Sequence, residues 1–243
     1  MTDPRPLTPE ELAKVAAEAE VARAEARKLA VEAERLEAER RKLAAEALAA
    51  EAEAEARRLK LEHERYSHAV TLAADERHRV YHFDSPVGAS SAKSCMTTLT
   101  TWHRIDPQCE MTIVFSSPGG EIFAGMALYD HISQLKRAGH RITTVARGYA
   151  ASMAGILLQA GDERVMGPEA YLLIHEAAFG AAGKIGEVED TVELVKKIQS
   201  RILDIFAARS RMSKAQIQRR WRRKDWWLDS SEALRLGFVD RIG

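Results

Sequence analysis

The stretch EMTIVFSSPGGEIFAGMALYDHISQLKRAG, residues 110–139, decides the fold. Its first eight residues form a short β-rich run, and the run from Ile122 carries a helical pattern of apolar residues. Pro118-Gly119-Gly120 stands at the junction, where paired glycines let backbone N–H groups turn outward toward an anion or an oxyanion. A strand, a tight turn and a helix make half of a βαβ unit. Working outward, HRVYHF (78–83), HRITTVARGY (140–149) and YLLIHEA (171–177) are further β-rich runs. SSAKSCMTTLTTWHRI (90–105) and ASMAGILLQAG (151–161) are helical between them. Alternation of this kind predicts an α/β domain with a mostly parallel sheet. A longer segment, 185–212, spaces Val188, Val192, Val195, Ile198, Ile202 and Ile205 three to four apart. It reads as a helix whose apolar stripe faces either the core or another subunit.

The chain before about Arg77 has a different texture. Residues 11–60 hold 18 alanines, 23 charged residues and nine Leu or Val, with no glycine before Gly88. That composition predicts one long helix. Thr8 as N-cap, Pro9 at the first helical position and Glu11 at the third make a capping box. Leu29, Leu36 and Leu43 recur every seven residues, in register with Ala22 and Ala50. Three positions earlier in each heptad come Ala19, Ala26, Ala33, Arg40 and Ala47. This is an alanine-rich coiled-coil seam, burying little area per turn. A helix on the order of 80 Å long has no place in a compact core, so the chain divides into an arm, 1–76, and a catalytic-size domain, 77–243.

Bulk properties exclude several classes. Lys+Arg and Asp+Glu both number 36, so no net charge steers the protein to nucleic acid or an anionic membrane. Cys95 and Cys109 show no metal-ligand spacing, so neither a disulfide framework nor a metal or other cofactor is expected. There is no secretory h-region in MTDPRPLTPEELAK and no apolar run of about 18 residues, so a soluble, cytoplasmic protein is expected.

Taken singly, the polar residues of the second part have structural readings. Ser152 in GYAASMAGILL (148–158) would cap a helix, or it would be a nucleophile around which alanines clear space. SPGGEIFAG lacks the Walker A Lys-Thr pair and the GxGxxG pattern, and Ser152 does not match GxSxG. His175 ends a predicted strand, and Asp225 stands alone in RRKDWWLDSSEALRLG. The run RRWRRK (219–224), followed by Trp226 and Trp227, is a solvated or interface patch, or a surface for an acidic partner or nucleic acid.

In order, SPGG…AGMALYD, ARGYAASMAGILLQAG, LLIH and DWWLDSSEALRLGFVD resemble the ClpP family, the proteolytic subunit of the Clp protease, from about Val80 to Ile242. The spacing resembles that family too, with 23 residues from Ser152 to His175 and 50 from His175 to Asp225. The resemblance implies a ClpP/crotonase-type core of repeated ββα units and a serine endopeptidase working in a heptameric or double ring. It implies a triad of Ser152, His175 and Asp225, with an oxyanion hole at the backbone N–H groups of Gly120 and Met153. Substrate backbone would add as a strand along residues 120–123, opposite a hairpin at 178–183. The implied substrate-binding residues are Gly119, Glu121, Ile122, Phe123 and Phe179. Polypeptide substrates and an ATP-driven AAA+ unfoldase are the implied partners.

Two departures stand out. The family's axial loops and first helix are replaced by the alanine-rich arm, an arrangement similar to proteases of phage head-assembly modules, where such an arm meets capsid or scaffold. The family's acidic-Arg-Asp before the triad acid is Arg223-Lys224-Asp225 here. Alternatives to the triad enzyme are a catalytically silent scaffold protein and a Ser–Lys peptidase of the signal-peptide-peptidase type.

Overall fold

The computed structural model describes residues 8–243, so the first seven residues of the expected arm, 1–76, lie outside the described residues. Helix α1 runs Pro9–Leu72, and every described residue in it is exposed. Its start is fixed as the capping box requires: Thr8 N–H donates to Glu11 Oε2 at 2.8 Å, and Glu11 N–H reaches Thr8 Oγ1 at 3.4 Å. At 64 residues the helix is about 95 Å long at 1.5 Å per residue. Ion pairs one turn apart, such as Arg57–Glu53 at 3.4 Å, support it along its surface. The chain divides into two compact units, one ending at Val70 and the other covering Thr71–Gly243. Hydrogen-bonded turns then occupy residues 73–79, between α1 and the first strand.

The second unit is built on a seven-stranded sheet. Strand β1 (Val80–Phe83) leads to α2 (Ala89–Ile105), β2 (Met111–Ser117) to α3 (Ile122–Arg137), and β3 (Ile142–Ala151) to α4 (Met153–Leu158). Next come β4 (Glu163–Met166), β5 (Tyr171–Ile174), α5 (Ile185–Ala208), α6 (Lys214–Trp221), β6 (Trp226–Asp229), α7 (Ser230–Leu236) and β7 (Arg241–Ile242). The strand order β1-β2-β3-β4-β7 is parallel throughout. All but two positions of β2 are fully buried, as expected for a central strand covered on both faces. α2 buries Ala92, Cys95, Leu99 and Trp102 and α3 buries Gly125, Leu128, Ile132 and Leu135, each a stripe at helical spacing.

The sheet forks at β3. Its first half, from Thr143, pairs with β4, while Tyr149–Ala151 pairs with β5. β6 then adds antiparallel to β5. This side layer is tied to the core by Phe238, which meets Phe206 of α5 and Trp226 of β6 edge-on, with ring centroids 5.8 and 5.7 Å apart. The C-terminal end is held by Arg164, only 5% exposed, whose guanidinium makes a bidentate pair with Asp240 at 3.0 and 2.6 Å.

Candidate active site

Ser152 sits where β3 ends and α4 begins, with φ 54° and ψ −120°. A non-glycine residue with positive φ is held there at a cost of about 1–3 kcal/mol, and such strain concentrates at functional sites. Ser152 takes the N-cap position of α4, yet its side chain makes no capping hydrogen bond. The structural reading of this serine therefore fails on its own terms, since the hydroxyl does nothing for the helix. The turn is fixed on both sides instead. Ser152 N–H donates to Leu173 O at 3.0 Å. The Met153 side chain, 1% exposed, fills the space above Gly125 of α3, where a Cβ would lie 2.3 Å from Met153 Cγ. That contact explains a glycine inside a helix, which otherwise costs about 1 kcal/mol against alanine.

Two strand registers gather the remaining residues. In the parallel β3/β5 pair Ala151 is level with Leu173, so the chain beyond β3 carries Ser152 past Ile174 toward His175. In the antiparallel β5/β6 pair Tyr171 faces Asp229 and Ile174 faces Trp226. Continued one step past its last pair, this register sets His175 opposite Asp225, and both residues line one hollow. Asp229 is four residues away along the strand, about 13 Å at 3.3 Å per residue, and is committed elsewhere. It caps α7, accepting from Glu232 N–H at 2.8 Å and Ser231 Oγ at 2.7 Å, and these hydrogen bonds lower its pKa.

His175 Nδ1 lies 2.6 Å from the carbonyl oxygen of Glu176. A carbonyl only accepts, so Nδ1 carries a proton, and in the neutral imidazole this leaves the Nε2 lone pair free. Among the described residues, no hydrogen bond joins Ser152 to His175 or His175 to Asp225, and Asp225 is exposed with no polar partner. Such bonds are commonly loose before substrate arrives. Glu176 carries no motif of its own in the sequence, although it adjoins His175. Its carboxylate accepts the N–H of Arg223 at 3.1 Å, and Arg223 is itself at φ 55°. Glu176 thus tethers the turn leading into Asp225 to the end of the histidine strand.

Ser152, His175, Gly120 and Met153 line one cleft of about 120 Å³, with an apolar wall from Ile122, Ile156, Ile174, Ile202 and Phe206. His175 also borders a second hollow that holds Glu176, Arg223, Lys224 and Asp225. The histidine thereby stands between the serine side and the aspartate side. Met153 opens α4, so its N–H has no acceptor within the helix. Gly119 and Gly120 have φ of 85° and 149°. A Cβ on Gly120 would lie 2.2 Å from Val87 O, the strand-like bridge that seats this loop. A Cβ on Gly119 would lie 2.5 Å from Ala151 O and 2.7 Å from Ser152 Cβ. The glycine that lets the loop reach the serine is therefore Gly119, while Gly120 is required by its bridge to Val87.

The remaining substrate residues are distributed less favourably. Glu121 and Phe123 are exposed, the latter 70%, and Phe179 is 49% exposed. α3 begins at Ile122, so the extended edge expected over residues 120–123 ends at Glu121. Residues 178–183 form no strand or hairpin. No lysine lines the cleft of Ser152, so the Ser–Lys alternative finds no base there. Among the described residues no cluster of three metal-ligating side chains occurs, and no helix is long and apolar enough to cross a membrane. Within the basic run, Arg220 packs over the Trp226 ring at 5.8 Å.

Comparison with known proteins places this arrangement. The chain is 28% identical over 166 residues to the ATP-dependent Clp protease proteolytic subunit of Deinococcus radiodurans, covering 68% of this chain and 79% of that one. It is 35% identical over 139 residues to proteolytic subunit 2 of Tropheryma whipplei, covering 56% and 75%. To the subunit of Bacteroides thetaiotaomicron it is 28% identical over 168 residues, covering 68% and 74%. A family model described as Clp protease matches residues 62–243, and with the parallel sheet, the strained serine turn and the histidine strand beside it already in place, the chain belongs to the Clp protease family.

Proposed function

We propose that this protein is a serine endopeptidase in which Ser152 attacks, His175 transfers the proton and Asp225 supports the histidine. The observation that carries the reading is the Ser152 turn: a strained, uncapped hydroxyl in a cleft it shares with a histidine whose Nε2 is free. Attack on the scissile carbonyl passes the hydroxyl proton to Nε2, and the carboxylate of Asp225 stabilises the resulting imidazolium. The N–H groups of Gly120 and Met153 receive the oxyanion. Collapse returns the proton to the leaving amine, and a water hydrolyses the acyl-enzyme by the same route. The apolar wall of the cleft favours substrates with an apolar side chain next to the cleaved bond.

Work with an ATP-driven partner is proposed from the relatives, which are named as ATP-dependent proteolytic subunits, and assembly into a ring from membership of the Clp protease family. The arm serves assembly or targeting, since none of its described residues is buried. The test is a serine-reactive fluorophosphonate, with the adduct located by mass spectrometry. Labelling at Ser152, lost in Ser152→Ala, is expected, along with loss of peptide hydrolysis by around 10⁶-fold. Hydrolysis at normal rates by the alanine variant would end the triad assignment.

A further inference from the structure

The seam of α1 has an asymmetric flank. Written as a heptad with Leu12 and Val15 in the two apolar positions, the seam continues through Leu29, Leu36 and Leu43. On one side of it a glutamate recurs at every seventh position from Glu11 to Glu53 without a break. The opposite flank holds alanines at 16, 30 and 44, with one arginine and one glutamate between them. Glu46 and Glu53 pair with Lys42 and Arg57, and Glu11 is used in the N-terminal cap. Glu18, Glu25, Glu32 and Glu39 have no hydrogen bond or ion pair among the described residues. The lysines and arginine at 14, 28, 35 and 42 lie on the far side of this row, away from the seam.

In a coiled coil the positions flanking the seam choose the partner. A second copy gains nothing net from this row. Side by side in parallel, Glu18 would meet the copy's Arg23, Glu32 would meet its Glu37, and Glu25 and Glu39 would meet alanines. In the antiparallel arrangement the glutamate row would face itself. The basic run at 219–224 is no substitute, because α6 has only eight residues and its Ile217 and Trp221 are buried. We propose that the arm is a docking surface for a different protein: an amphipathic helix with an apolar heptad seam bordered by lysine or arginine. The proposal rests on the reading of α1 as a partner-binding arm and is independent of the protease assignment.

The test uses the full chain as Ser152→Ala, so that no probe can be cleaved. Two designed 42-residue helical peptides share a Leu/Ala seam and differ only at the flanking positions, all Lys in one and all Glu in the other. Fluorescence anisotropy should show binding of the Lys peptide and much weaker binding of the Glu peptide. An exposed ion pair changes an association constant by roughly twofold, so exchanging attraction for repulsion is about fourfold at each of the four free glutamates and on the order of 200-fold along the row. The gap should shrink in about 0.5 M salt. Replacing Glu18, Glu25, Glu32 and Glu39 together with lysine should reverse the preference. Equal binding of both peptides, binding of neither, or a preference unmoved by the fourfold change would overturn the proposal. So would disulfide dimers formed by Leu36→Cys chains but not by the parent, since they would show the arm pairing with its own copy.

Discussion

Gly119→Ala tests the geometry of the site more directly than removal of the nucleophile. The new methyl would start 2.5 Å from Ala151 O, 2.7 Å from Ser152 Cβ and 2.8 Å from Met153 N. Comfortable contacts to carbon lie near 3.5–4.0 Å, so the loop and the serine turn must separate by about 1 Å. These are backbone or near-backbone atoms, with no flexible side-chain end to swing aside. The positive φ of 85° adds about 1–2 kcal/mol for a residue with a Cβ, and overpacking adds about 1–3 kcal/mol. The sum, roughly 2–5 kcal/mol, leaves a domain of ordinary stability folded. The rate should suffer more, because a 1 Å displacement of catalytic groups costs about 10²-fold and loss of an oxyanion donor about 10²–10³-fold.

The assay is the second-order rate of fluorophosphonate labelling at Ser152, read beside the melting temperature. A matched control exists in Gly237→Ala at the end of α7. Its φ is 82° and its Cβ would press on Arg211, with Cγ at 2.9 Å, away from the cleft. Both variants should lose stability, but only Gly119→Ala should lose labelling, by about 10²-fold or more. A folded Gly119→Ala that labels at the wild-type rate would refute the argument that this loop completes the site. Equal loss in Gly237→Ala would show that labelling reports stability alone.

Asp225→Asn should slow hydrolysis by about 10³-fold, less than the ~10⁴-fold of a triad whose aspartate alone fixes the tautomer, because the Glu176 carbonyl already holds the Nδ1 proton. Asp229→Asn should leave the rate nearly unchanged, and the reverse order would move the acid to Asp229. Burial raises the pKa of Asp240, but its hydrogen bonds from Arg164 outweigh this and the net shift is downward. A carboxylate with a depressed folded pKa stabilises above its unfolded value near 3.9 and loses that contribution as pH falls through the folded value. Melting temperature should therefore drop below about pH 4 by a component that Asp240→Asn lacks, and parallel acid curves for the two proteins would contradict it. Deleting residues 1–70 should leave a folded Clp-type domain with stability within about 0.5 kcal/mol, since α1 buries no residue. Circular dichroism and thermal melting check this, and an unfolded remainder would refute the division at Val70.

Much of the fold is legible because its periodicities are strong. The β2-turn-α3 stretch reads directly, since a buried parallel strand and an amphipathic helix flank two glycines of positive φ. β4 and β6 are four residues each, too short for a period to declare itself, although Gly161-Asp162 and Gly167-Pro168 mark turns on either side of β4. α4 is shorter than the segment 151–161 promises, because β3 extends through Ala151 and the strained Ser152 takes the turn. The expected substrate edge over 120–123 shortens for a similar reason. Its backbone turns helical at Ile122, where the apolar stripe of α3 begins.

The residues of the proposed site can be picked out in the sequence by identity and order, but their proximity cannot. Ser152, His175 and Asp225 stand 23 and 50 residues apart, and no local periodicity links such distances. What brings them together is register. Strand register has a period of two, so a slip of one residue in β5 would turn His175 to the other face of the sheet. Register is protected here by burial: Leu172, Leu173 and Ile174 are all buried, and a slip would force the exposed Tyr171 or the polar His175 into a buried position. The same residues pair with β3 on one side and β6 on the other, so a single buried strand aligns the serine end and the aspartate end at once. The isolated LLIH motif thus carries more than the proposed base. Its apolar residues set the alignment that its histidine uses, and the acidic residue just after it, Glu176, holds the turn that delivers Asp225.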